Sequence, residues 1–600
     1  MSLLPTIGAV DQDTGFYNGV ATQSLRFNDD DDAYLSRTPA GATNRKTWTY
    51  STWFKIANTS ASQTLFSAGS SGTGRVALYM SGGQFITDLG GTGTYDQSTA
   101  YFRDPSAWYH LVWAFDTTQG TGANRSRIYI NGTEITLTKT RTWAQNTDYQ
   151  VNNNTLHVIG GFANAPVAFS SDAYHAETNF VDGSQLTPSS FGETKNGVWI
   201  PIEYEGSYGT NGFRLQFAST THDAPASEGS AETDNIGADS SGENNHWTAS
   251  DSIGAEDCNL PDSPENNFST WNALWTGGEQ SASIATAPTL SNGNLEVSLG
   301  GNAYIGNTFR PVSGKWYCEI RVKTIGSTNG EIDWGWLQAT TYAGTTGHAG
   351  QANKWGAYYH AYSTDHIQVY DETSQLGSNI NLTISAGSVL QLAWDIDNNK
   401  GWVGIDNTYY AADNGTDGNP SAGTNQTFTF TADEAQNLQV YIANGTSTDV
   451  HVANFGQDST FGGDETATTN ADANGIGAFH HAPPTGFLAC CSANLSDDDL
   501  PISPNADTQA DDYFNTVLYS GSGSAQTINT GFSTDFTWIK SRGTTNSHLL
   551  ADSTRGSTKV LLSNDTNAEI TDSDYTTFVS NGFSVSGNGS EINNSSGTYV

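Results

Sequence analysis

From Trp108 to Phe115 the chain alternates with a period of two. Tyr109, Leu111, Trp113 and Phe115 share one face, and Trp108, His110, Val112 and Ala114 share the other. That periodicity belongs to an extended strand buried on at least one side. A polar, glycine-bearing loop from Asp116 to Asn124 leads to a return strand, Arg127 to Ile130, which runs into Asn131-Gly132. This pair suits the positive φ angles of a type I′ turn, so the stretch predicts two consecutive hairpins.

The rest of the composition agrees with a chain built from such hairpins. Only 14% of the 600 residues are charged, Gly, Ser, Thr, Asn and Asp dominate, Trp and Tyr are plentiful, and there are two Met. This mixture is rich in turn formers and poor in strong helix formers, and the length is too great for one core. Mostly antiparallel sheet in about three to five domains is expected. The 62 acidic against 23 basic residues give a net charge of -39, a surface that repels nucleic-acid phosphates and anionic headgroups. No nucleic-acid partner and no membrane insertion are therefore expected. An anionic ligand would need a bridging divalent cation or a local Lys/Arg patch, and the sequence has no basic run. Cys258, Cys318, Cys490 and Cys491 are too few and too scattered for a disulfide framework and read as thiols. The start, "MSLLPTIGAV", lacks the features of a secretion signal, and no apolar stretch is long enough for a membrane span. A soluble protein made inside a cell is expected.

Alternating segments and polar passages divide the chain into residues 1–234, a linker at 235–270, residues 271–463, a second linker at 464–510, and a third β-rich module at 511–600. Strand candidates in the first region include "WTYSTWFKI" from Trp48 and "NTLHVIGGF" from Asn154. In the second, Leu390, Leu392, Trp394 and Ile396 share a face, and a return strand reaches an Asp406-Asn407 turn. "NLPDSPENNFSTWN" from Asn259 and "DLPISPNADTQADDYFNT" from Asp499 read as related lead-in segments to the second and third regions. The end, "SSGTYV", has the look of a strand just beginning, to be completed by another subunit or by further chain.

Three resemblances rest on these stretches. "WYHLVWAFD" (Trp108 to Asp116) with "RIYING" (Arg127 to Gly132), preceded by "DAYLSRTP" and "WTYSTWFK", resembles the laminin G-like or concanavalin A-like lectin family. The resemblance covers about the first 220 residues and implies a jelly-roll sandwich that often binds carbohydrate on a concave face or rim. "GKWYCEI" (Gly314 to Ile320), "GSVLQLAWDIDNNKGWVGIDNTYY" (Gly387 to Tyr410) and "NFGQDSTF" (Asn454 to Phe461) resemble, in the right order, the SPRY family of β-sandwich binding modules. "GFSTDFTWIKSR" (Gly531 to Arg542), "LLADSTRG" (Leu549 to Gly556), "FVSNGFSV" (Phe578 to Val585) and "DSSGENNHW" (Asp239 to Trp247) are similar to modules of large structural proteins in tailed bacteriophages.

The concanavalin-like fold also houses β-glucanases whose strand carries Glu-x-Asp-x-(x)-Glu. "EIDWGWL" supplies Glu331 and Asp333 on one strand face, but Gly335 or Trp336 stands where the second glutamate is needed. The near-match also falls in the SPRY-like region, so no catalytic residue is assigned. "NDDDDAY" (Asn28 to Tyr34) offers oxygen ligands of the kind Ca²⁺ takes, without EF-hand spacing. Asp31, Asp32 and Asp116 are the candidate calcium ligands, against the plain reading of a solvated loop that blocks edge pairing. His480-His481 and Cys490-Cys491 fit no strong zinc spacing. P-loop, HExxH and G-x-S-x-G motifs do not occur. Trp143, Tyr149, Trp355, Tyr358 and Tyr359, in or near loop-like segments, are the candidate sugar-stacking rings, against the plain reading of core aromatics.

The sequence therefore predicts an all-β chain of tandem antiparallel β-sandwich (jelly-roll) domains joined by polar linkers. The resemblances imply a non-enzymatic phage virion protein, a tail fibre or spike, assembled in the host cytoplasm and released by lysis. Its partners would be host-surface glycans and other virion proteins, Ca²⁺ its one candidate cofactor, and a homotrimer the favoured assembly. The alternative is a structural or decoration protein held by protein contacts alone, and a glycan hydrolase comes third.

Overall fold

The computed structural model describes residues 17–58, 61–72, 74–90, 95–140, 142–195, 197–222, 234–274, 287–301, 303–326, 330–338, 350, 352–361, 365–445, 448–495, 513–571, 576–587 and 591–600. Secondary structure is almost entirely strand, and the chain divides into two compact units, Met1–Pro501 and Ile502–Val600.

The first unit contains two β-sandwiches. In the first, a seven-stranded sheet runs in the order Leu25–Phe27, Ala173–Asp182, Thr47–Ile56, Trp108–Asp116, Ser126–Ile130, Thr133–Glu134, with Phe213–Leu215 also paired to Ala173–Asp182. It packs against an eight-stranded sheet whose centre is Gln84–Leu89, Val76–Ser81, Gln63–Ala68 and His157–Ile159. Leu111, Trp113 and Phe115 point into the core between them, where Trp48 stacks on Phe115 with centroids 4.7 Å apart. The predicted turn holds: Asn131 and Gly132 have φ of 46° and 80°. The opening strand is buried on both faces, since His110, Val112 and Ala114 are as buried as the core residues.

The second sandwich sets a nine-stranded sheet, built around Lys315–Thr324, Val389–Asp395 and Asp449–Asn454, against a six-stranded one. The latter runs Tyr304–Gly306, Leu438–Asn444, Glu331–Gln338, Lys354–His360, His366–Asp371, Ser374–Ile380. Leu390, Leu392, Trp394 and Ile396 enter this core as predicted, and Asp406 and Asn407 take φ of 45° and 64° at the following turn.

The two expected linkers are corrected by burial. Within 235–270, Ile236, Trp247, Ile253 and Cys258 belong to the first core, and Thr248–Ala249 adds a strand to the eight-stranded sheet. The following residues lie between the sandwiches. The Lys55 ammonium donates to Asp262 Oδ2 (2.8 Å), Asn267 Oδ1 (2.8 Å) and the Phe268 carbonyl (3.0 Å). Arg26, fully buried, pairs with Asp257 (3.0 Å) from the supposed linker and Asp458 (3.4 Å) from the second sandwich. Tyr174 OH donates to the Gly293 carbonyl, and Asn294 Nδ2 to that of Ala57. In 464–510, Phe479, Phe487, Ala489 and Cys491 form an apolar cluster with Tyr317 and Trp402. Residues 496–510, and with them most of the second lead-in segment, lie outside the described residues. Polar composition marked these passages as linker, but their polar groups are hydrogen-bonded inside the fold.

In the second unit, the four-stranded sheet Phe536–Ile539, Leu549–Asp552, Lys559–Leu562, Ile570–Thr571 accompanies a three-stranded one. Ile528, Ile539, Leu549, Val560, Phe583 and Val585 contribute to its core. Thr598–Tyr599 pairs with Tyr519–Ser520 of the same unit.

Candidate ligand-binding face

The period-two rule divides the six-stranded sheet of the second sandwich into two unlike faces. Ile332, Trp334, Trp336, Trp355, Ala357, Tyr359, Ile367 and Val369 face the core. The other phase is polar. Register sets Glu331 opposite His360, Asp333 opposite Tyr358, and these in turn opposite His366 and Gln368. Gly335 and Gly356 lie opposite one another in the floor, where a Cβ at 335 would come within 2.1 Å of the Trp355 carbonyl oxygen.

This face grades from buried charge to exposed amide. At one side Asp333 and Lys354 are fully buried, and the ammonium lies 4.9 Å from the Tyr304 ring centroid and 5.1 Å from that of Tyr441. Burial lowers Lys354 to about 8, with Asp333 opposing the shift. Tyr358 is buried beside them, raised by burial first and then by Glu331 and Asp333. In the middle His360 packs edge-on against Tyr358, stacks on His366 with centroids 5.0 Å apart, and approaches Glu331 at 4.0 Å. Burial lowers the His360 pKa. Gln368 Oε1 meets His360 Nε2 (3.0 Å) and accepts from Tyr370 OH (3.0 Å). Gln368 Nε2 reaches Gln375 Oε1 and Asn379 Oδ1 (both 3.4 Å) on the exposed edge strand, and Gln375 Nε2 donates to Asn379 Oδ1 at 2.9 Å. Planar amides, a phenol and an imidazole in one row can give and take hydrogen bonds with hydroxyl groups while the Tyr370 ring offers apolar surface.

Of the predicted stacking residues, only Tyr358 belongs to this face. Trp143 and Trp355 are 1% exposed and Tyr359 2%, so none offers a ring face to a ligand. Trp143 packs edge-on to Phe115 and Tyr149, at 4.9 and 4.8 Å, and Tyr149 is half-buried in that cluster with its hydroxyl accepting from the Ala144 N–H. The missed residues are His360, Gln368, Tyr370, Gln375 and Asn379. Their signal was the polar phase of "KWGAYYH" and "HIQVYD", read against an apolar phase that fixes the core side.

The three candidate calcium ligands are each hydrogen-bonded within the fold. The Asp116 carboxylate already accepts from Thr47 and Thr118 hydroxyls, the Thr118 N–H and Gln119 Nε2, which hold its pKa down against a desolvation penalty. Asp31 accepts from Asn28 and Asp32 from Ser170. Among the described residues no three His, Cys, Asp or Glu side chains converge as a metal site. His480 and His481 instead donate their backbone N–H groups to Glu319, and all four cysteines are buried thiols.

The outer face of the first sandwich's seven-stranded sheet is closed by the chain itself. Phe191, Tyr208 and half-buried Leu186 and Tyr204 pack on Val112, Ala114 and Tyr129. Trp199, from the hairpin Gly192–Lys195 and Val198–Pro201, donates its Nε1–H to His110 Nδ1 at 3.0 Å. His110 therefore carries its proton on Nε2, which meets Ser51 Oγ at 2.9 Å, and burial pushes its pKa down to about 3. Elsewhere a cleft of about 540 Å³ opens beside Ser313, Asp397, Asn399 and Gln436, without an aromatic ring.

Comparison with known proteins bears on both units. Residues 28–171 match the family model described as the concanavalin A-like lectin/glucanases superfamily. Residues 509–600 match a model described as a domain of unknown function. No curated protein matches the chain. Similar solved structures include the SPRY domain of human HERC1, with 14% identity over 29% of this chain and 94% of that one, at a TM-score of 0.21. Domains LG4-5 of the mouse laminin alpha1 chain share 9% identity over 79% and 88%, at 0.24. A putative carbohydrate binding protein from Bacteroides ovatus shares 13% over 38% of this chain and 58% of that one, at 0.26.

Proposed function

We propose that the chain is a non-enzymatic glycan-binding protein, and that the polar face of the six-stranded sheet is where it holds sugar. The row from His360 through Gln368 to Gln375 and Asn379 carries this reading, because it combines accessible amides with the Tyr370 ring. The lectin-type match of residues 28–171 supports a carbohydrate ligand for the chain as a whole. Asp333 is sealed and Gly335 contributes no carboxylate, which supports binding over hydrolysis at this strand. The finer reading, drawn from sequence resemblance, is an appendage of a tailed phage that attaches to host-surface glycans through repeated weak sites.

The test is an array of bacterial surface glycans probed with the full chain and with Gln368→Ala and Tyr370→Ala. Each substitution is expected to weaken captured ligands by about tenfold or more, with melting unchanged. Binding retained by both variants would move the ligand elsewhere; silence of the full chain would favour a purely structural role, and shortened glycans a hydrolase.

A further inference from the structure

The four-stranded sheet of the second unit carries apolar side chains on both faces. Ile539, Leu549, Ala551 and Val560 turn inward and are buried. On the other face register aligns Trp538, Leu550 and Leu561 in one row, with Phe536 beside it. Trp538 is 58% exposed, Phe536 55% and Leu561 38%. Together they leave on the order of 300–400 Å² of contiguous apolar surface, at the scale of an interaction patch.

We infer that this face is where two copies of the chain meet. Charge favours a second copy as the occupant. The whole chain carries -39, so two copies repel wherever their ordinary surfaces approach. Residues 536–571 depart from that average and are locally balanced, with Lys540, Arg542, Arg555 and Lys559 against Asp552, Asp565 and Glu569. Around the apolar row these charges alternate: Arg555 pairs with Asp552 at 2.6 Å and lies 3.8 Å from Glu569, which also meets Lys559 at 3.4 Å. A two-fold contact requires a patch complementary to itself, and an apolar row rimmed by both signs satisfies that requirement. The row is smaller than the roughly 800 Å² per partner of a stable interface, so it forms the apolar centre and the charged residues the rim. The inference is independent of the glycan reading.

The experiment is sedimentation velocity of the full chain from micromolar to tens of micromolar, with Trp538→Glu, Phe536→Glu and, as a control at another exposed apolar site, Val167→Glu. Wild type and control are expected to self-associate, and the two sheet variants to sediment as monomers with at least a hundredfold weaker association. Leu561→Cys checks the contact without added charge, and is expected to give a disulfide-linked dimer under oxidation. A monomeric wild type, or unchanged association of the sheet variants, would overturn the assignment.

Discussion

Replacing Lys55 by Met should expose how firmly the two sandwiches are joined. The ammonium is 1% exposed and its partner Asp262 is fully buried. Three acceptors lie within 3.0 Å of Nζ, and Asp262 Oδ1 also accepts from Trp108 Nε1 at 3.1 Å. The methionine fills most of the volume but leaves a buried carboxylate without its counter-charge. Removing one partner of such a pair costs about 3–5 kcal/mol. Guanidinium unfolding of the full chain, followed by tryptophan fluorescence, should show this loss in the transition of the first unit. Hydrogen exchange at residues 262–268 should rise with it. Lys55→Met with Asp262→Asn removes both charges and should recover part of the loss, leaving about 1–3 kcal/mol for unsatisfied polar groups. A single variant within about 1 kcal/mol of wild type, or a double variant no better than the single, would refute the reasoning.

Glu319 is buried, and burial pushes its pKa up to about 7 although the His480 and His481 N–H groups and Tyr317 OH favour the charged form. Because the folded value lies above the unfolded one, its contribution is present below about pH 4.5 and declines as pH rises through 7. Relative to Glu319→Gln, wild type should lose on the order of 3 kcal/mol between pH 4.5 and 8 in paired denaturation curves; parallel curves would show the carboxylate ionised at no cost. Gly132→Ala should destabilise by about 2 kcal/mol or more, since φ is 80° and the new Cβ would lie 2.7 Å from the Trp199 ring; an unchanged melting temperature would place that ring elsewhere. All four thiols are buried and raised by burial, Cys258 to about 12, so a thiol reagent should label them only on unfolding, and rapid native labelling would contradict their placement.

Local pattern made much of the fold legible. Alternation located the strand at Trp108–Asp116 and the apolar face from Leu390 to Ile396, and Asn-Gly and Asp-Asn marked turns that need positive φ. The supposed linkers misled because Asp262, Ser263, Glu265 and Asn266 are polar yet buried, their partners distant in sequence. Glu265, for instance, accepts from the N–H groups of Gly19, Val20 and Ala21. Trp143 and Trp355 misled for the converse reason: turn-rich surroundings disguised rings that tertiary packing covers. The proposed binding face escaped notice because Gln368 or Asn379, taken alone, looks like any solvent-facing position; only register reveals the row.

Arg26 has a consequence for biosynthesis. It emerges from the ribosome 432 residues ahead of Asp458. At about 5–20 residues per second, some 20–90 s separate the two. Throughout that interval the nascent first sandwich holds a guanidinium and a docking surface without their final cover. Slowed elongation lengthens that exposure, and a chaperone that shields this surface would act on the chain before its second half exists.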